Sequence, residues 1–218
     1  MKFALLPAFF AAAQATDYFF RYLGGNEIID HQRLRGNNSI QHFSPGVTLP
    51  PYNPQDHFLR IYPNTTEAPT APPALELLRV PTQPHPPPVP GYYGLSDAER
   101  VPDAYRLVYS YRPDDEGPGF AYRGWRLRPA PPAGGDPAVL RPEYPAIDGG
   151  AAARGRRRWR WIAVREREGE FDRWVPWYVR PSAANRAVLA TWDYVNVVLE
   201  LVEAKGPVDS TAPGGVLE

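Results

Sequence analysis

The sequence predicts an all-β protein: an antiparallel β-sandwich or barrel of about nine short strands, with long Pro/Gly-rich loops and at most one short helix. Three observations predict it. The chain carries 28 prolines, which cut short any long helix. Its apolar residues alternate with polar ones over short runs. Clusters of Pro, Gly, Asp and Asn separate those runs.

The first expected strand is Tyr18 to Leu23. Ile28 to Leu34, Ile40 to Phe43, Phe58 to Tyr62 and Leu75 to Val80 follow. Ser96-Asp97-Ala98-Glu99 reads as a capping box and marks the one expected helix, which Pro102 keeps short. Tyr105 to Tyr111 puts aromatic or leucine residues at every odd position, the period of a half-buried strand. Pro113 to Gly119 is a loop, and Phe120 to Leu127 returns beside the strand, with a bulge expected at Gly124.

The same layout recurs. Arg158 to Arg165 places Trp159, Trp161 and Ala163 on one face. Glu166 to Glu170 reads as a charged turn, and Phe171 to Val179 returns. Pro176 assigns that returning strand to an edge or a bulge. Tyr194 to Val202 is the last strand, chosen over a helix for its β-branched valines. Residues 81–90 and 129–157 read as flexible loops and residues 206–218 as a disordered tail. The domain reading is a signal peptide over 1–15, then a single β domain over 16–205.

The start of the chain points to secretion. Lys2 supplies the positive end and Phe3 to Ala13 the apolar run, and Ala13-Gln14-Ala15 matches a small-x-small cleavage site before Thr16. The run is too short to span a bilayer, so no membrane span is expected. Two glycosylation sequons, at Asn37 and Asn64, fit that route. Cysteine is absent, which excludes disulfides, thiol catalysis and thiolate metal sites. Basic and acidic residues balance at 24 each, so net charge implies no polyanion partner. The basic residues other than Lys2 and Lys205 are arginine.

Candidate chemistry is sparse. Asp114, Asp115 and Glu116 form one acidic cluster, and Glu166, Glu168, Glu170 and Asp172 another. A glycoside hydrolase needs two carboxylates across a scissile bond, but these clusters fall in expected hairpin turns, where charge is solvated. His31, His42, His57 and His85 show no metal-ligand spacing. No metal, catalytic residue or cofactor is expected.

The segment from Arg154 to Trp161 combines charge with indoles. It is compatible with anionic glycan or lipid headgroups, with nucleic acid, or with dibasic processing at Arg156-Arg157-Arg158. A strand with arginines outside and tryptophans in the core accounts for both residue types and is the preferred reading. Secretion and zero net charge set nucleic acid aside. Both faces of Phe171 to Val179 carry aromatics, which points to an exposed stacking platform for sugar rings. The expected binding residues are Trp174, Trp177, Tyr178, Arg158 and Arg160.

The signal segment, the sequons and the final run Leu199-Glu200-Leu201-Val202-Glu203-Ala204 resemble uncharacterised small secreted proteins of filamentous fungi. The resemblance covers the layout and the last stretch of the chain. It implies a secreted β-sandwich and assigns no residue a role. The function expected is that of a secreted, extracellular, non-enzymatic glycoprotein that binds glycan or cell wall through exposed aromatics. A secreted carbohydrate-active hydrolase and an effector binding a host protein are the alternatives.

Overall fold

The computed structural model describes residues 16–37, 42–65, 75–79, 91–98, 101–130, 139–144, 147 and 159–204. The expected signal segment, the 81–90 stretch, the 206–218 stretch and Arg158 lie outside them. The all-β class holds. In chain order come β1 (Tyr18–Leu23), β2 (Arg35–Asn37), β3 (His42–Phe43), β4 (Val47–Thr48) and β5 (Asp56–Phe58). Next are β6 (Arg60–Thr65), β7 (Leu75–Arg79), β8 (Tyr92–Asp97) and β9 (Ala104–Ser110). A single 3₁₀ turn, Pro113–Glu116, leads to β10 (Phe120–Ala121), β11 (Arg123–Ala130) and β12 (Val139–Glu143). β13 (Arg160–Glu168) and β14 (Phe171–Val179) form a long hairpin, followed by α1 (Ala183–Leu189), β15 (Tyr194–Asn196) and β16 (Val198–Glu203).

Six strands close on themselves. β1 pairs with β16, β16 with β12, β12 with β11, β11 with β7, β7 with β6, and β6 with β1, all antiparallel. Alternation along each strand decides which residues enter this barrel. Phe20, Tyr22, Ile61, Leu77, Leu199 and Leu201 point inward and are fully buried. Trp125 joins them and donates its indole N–H to the Tyr93 carbonyl at 3.0 Å. Each such side chain contributes about 1.5–3 kcal/mol on burial. The expected bulge at Gly124 is present: its φ is +99° and the β11–β7 register shifts there.

The sheet also continues past β7 through β8, β9, β14 and β13 to β15. In this extension β14 is central. β13 lies on one side over its full length, and β9 and β4 share the other. Pro176 therefore does not mark an edge strand. It falls between Trp174, the last residue paired to β4, and Trp177, the first paired to β9. Three other strand prolines follow the same rule. Pro63, Pro129 and Pro142 each pair with one neighbouring strand where the second neighbour has run out. A residue without an N–H fits where no ladder bond is asked of it.

The hairpin β13–β14 is buried on both faces. Trp161, Ala163, Trp174 and Tyr178 pack against the barrel core. Ile162, Val164, Val175, Trp177 and Val179 pack beneath α1, against Leu189 and Trp192. Ser182 caps α1 by accepting from the Asn185 N–H at 3.0 Å.

Other expectations change with the structure. The capping box at Ser96 does not start a helix: residues through Asp97 belong to β8, because Tyr93 and Leu95 bury completely when paired with β9. Ile28 to Leu34 is mostly a turn, with Arg33 bridged to Arg21. β13 runs through Glu168, so the turn is confined to Gly169 and Glu170. Tyr194 to Val202 is two strands with different partners, parted at Val197. The expected 129–157 loop contains β12, a wall of the barrel.

Candidate anion-binding face

The aromatics expected to form a sugar platform are interior. Trp174, Trp177 and Tyr178 are 3%, 4% and 4% exposed. Aromatics on both faces of β14 mean two cores, not an exposed face. Arg160 is half-buried, and its Nε has no partner among the described residues. Of the sequon asparagines, Asn64 is exposed on β6. Asn37 is buried, and its Nδ2 donates to Gln55 at 2.9 Å.

The acidic clusters are engaged rather than simply solvated. The Tyr122 hydroxyl donates to Asp114 at 2.8 Å. Glu116 accepts from the Ser110 hydroxyl at 2.7 Å and meets His42 Nδ1 at 2.8 Å. Burial pulls the Glu116 carboxyl upward, but these two partners outweigh it and hold it below the usual carboxylate range. Glu166 accepts from Arg106 at 2.9 Å and from the Trp177 indole at 2.7 Å. Glu168 pairs with Arg173 at 2.8 Å, and Asp172 with Arg165 at 2.6 Å.

Arg173 is the centre of a buried network. Its Nη2 donates to both oxygens of Asp56, at 2.7 and 2.6 Å, and its Nη1 to the Ser44 carbonyl at 3.2 Å. The Thr48 hydroxyl also donates to Asp56. The network clamps the small β2–β5 ribbon onto β14. Among the described residues no group of three or more His, Asp and Glu side chains could hold a metal ion. No helix there is long and apolar enough to cross a membrane.

Charge stays unbalanced beside β1, where Arg33 and the β2–β5 ribbon meet the outer wall of the barrel. Inward residues of β1 are even-numbered, so Phe19 and Arg21 face out. Arg33 bridges Arg21, and Arg35 lies two residues on, opposite Phe58. Guanidinium groups lie over the rings. Arg33 is 4.6 Å from the Phe19 centre, Arg35 is 4.2 Å from Phe58 and 5.8 Å from Tyr52, and Arg60 is 5.6 Å from Phe19. Each contact contributes about 0.5–1 kcal/mol when exposed. Tyr52, 60% exposed, stands at the end of this face.

Among the described residues neither Arg33 nor Arg35 has an ion pair, whereas Arg21 pairs with Glu200 at 3.0 Å and Arg60 with Asp17 at 3.5 Å. Burial, then the positive charges of Arg21 and Arg60, press the Arg33 pKa below its usual value. The rings fix the planar guanidinium forks and leave their N–H edges for an oxyanion. The sequence reading missed this face because its arginines stand alone along the chain. The available signal was the alternation of Arg33 and Arg35 around buried Leu34.

Comparisons with protein families, with curated proteins and with solved structures returned no match for this chain.

Proposed function

We propose that this chain is a secreted, non-enzymatic extracellular protein that binds an acidic glycan at the Arg33–Arg35–Tyr52 face. One observation carries the reading: two guanidinium groups held on aromatic rings without carboxylate partners among the described residues. Carboxylate and sulfate groups match the guanidinium fork, and Tyr52 offers a ring against which a sugar can stack. The hydrolase alternative loses support because Asp114, Glu116, Glu166, Glu168 and Asp172 are committed to ion pairs and hydrogen bonds. A protein-binding effector would favour an exposed apolar patch, yet Ile28 and Tyr52 are the exposed large hydrophobics among the described residues.

The test is titration of the mature protein with a polyuronate, a sulfated polysaccharide and a neutral glucan. Binding to an acidic polymer, weakened at least tenfold in Arg33→Gln/Arg35→Gln, supports the reading. Equal binding to the neutral glucan, or none to either acidic polymer, removes it.

A further inference from the structure

The register of the barrel extends this face. Arg128 on β11 stands directly opposite Arg141 on β12. Arg141 reaches Glu200 on β16 at 3.6 Å. Glu200 stands opposite Arg21 on β1, and Arg21 opposite Arg33. These five residues form one row across five adjacent segments, perpendicular to the strands. At about 4.8 Å per strand the row spans ~19 Å.

Like charges directly opposite each other destabilise a sheet. Here the row has two such pairs, Arg128 with Arg141 and Arg21 with Arg33. Its own carboxylate, Glu200, is 3% exposed and shared by Arg21 and Arg141. Arg128 finds Glu143 at 2.7 Å, while Arg33 has no ion pair among the described residues. A wall kept soluble by charge alone would interleave the signs. The Arg128 end stays open, with the Arg128 side chain 59% and the Arg141 side chain 42% exposed, while Arg33 at the other end is half-buried. The barrel closes through β1, β6, β7, β11, β12 and β16, which leaves side chains rather than a strand edge to meet a partner here.

We infer that this row is a track for a linear acidic polysaccharide, laid across the strands from Arg128 to Arg33 and ending beside Arg35 and Tyr52. The inference rests on the acidic-glycan reading of the Arg33–Arg35 face and adds polymer length and direction to it. Successive uronate or sulfate groups meet successive guanidinium groups and neutralise the opposed pairs. Glu200 is a positioning residue that holds Arg21 and Arg141 upright. A polysaccharide suits the row better than a nucleic acid. The guanidinium groups already lie over Phe19 and Phe58, so few free ring faces remain for bases.

The experiment is calorimetry with oligouronates from the disaccharide to the decasaccharide, on wild type and on Arg128→Gln. Affinity is expected to climb with length until the ligand spans the row and then level off. Arg128→Gln is expected to weaken the longest oligomer about tenfold, the equivalent of one lost contact of about 1.4 kcal/mol, and to leave disaccharide affinity unchanged. A wild-type affinity independent of length, or an Arg128→Gln variant that binds the decasaccharide as well as wild type does, overturns the track while the Arg33–Arg35 site stands. Failure of every oligouronate to bind overturns both. Competition by single-stranded DNA at equal affinity overturns the polysaccharide class. Circular dichroism of the variant, expected to match wild type, separates lost binding from lost fold.

Discussion

The β13–β14 hairpin and the outer wall of the barrel combine the same residue types, arginine and aromatics, to opposite ends. In the hairpin the aromatics are buried on both faces, and Arg173 at its core is paired to the carboxylates of Asp56 and Glu168. On the wall the aromatics lie beneath the arginines, and Arg33 and Arg35 lack such partners among the described residues. The hairpin residues are close in sequence. Those on the wall come from β1, β2, β5, β11, β12 and the bridge at Arg33. Concentration along the chain marked a core, while the open charged surface is assembled only by strand register.

Four changes test this contrast. The hairpin side should give the largest losses. Trp177→Ala empties a site between β14 and α1 and is expected to destabilise the fold by about 3–5 kcal/mol. Denaturant unfolding checks this, and a loss near zero would mean the indole is not a core residue. Arg173→Met leaves Asp56 buried without its counter-ion, an expected loss of about 3–5 kcal/mol. The double variant with Asp56→Leu should recover much of it, and a double variant worse than the single would contradict the network account.

The wall should behave in the opposite way. Arg33→Gln removes a like-charge contact with Arg21 and is expected to leave stability within about 0.5 kcal/mol of wild type. A thermal melt decides it: a drop comparable to that of Trp177→Ala would make Arg33 structural. The smallest effect concerns acid. The Glu116 carboxyl is held below its usual value, so its contribution is present above about pH 4.3, the unfolded value. It fades as pH falls through the lower folded value. Glu116→Gln should flatten stability in that acid window and change little at neutral pH. Unchanged curves would show that His42 and Ser110 do not stabilise the carboxylate.

Strand alternation made much of the fold legible. β1 and β14 fall where the pattern puts them, at Tyr18–Leu23 and Phe171–Val179. β12 was hidden because Pro142 and its alanine- and glycine-rich approach carry loop chemistry, and only the missing second neighbour makes a strand proline tolerable. The Ser96 capping box lost to long-range pairing with β9, which local propensity does not encode. α1 was missed although Ser182 caps it, since Pro181 precedes it and its apolar run is short. The binding face was illegible for a related reason. Trp174 and Trp177 look exposed until α1 and the barrel cover one face each, and Arg128 and Arg33 become neighbours of the same row only once β11, β12, β16 and β1 are in register.

The most direct measurement takes Arg33→Gln/Arg141→Gln and determines stability and affinity for a long polyuronate on the same preparation. The account predicts that the variant is as stable as wild type or slightly more so, because opposed positive charges are relieved, while affinity falls by tenfold or more. A variant that keeps wild-type affinity, or one that unfolds readily, would contradict the claim that this row serves a ligand rather than the fold.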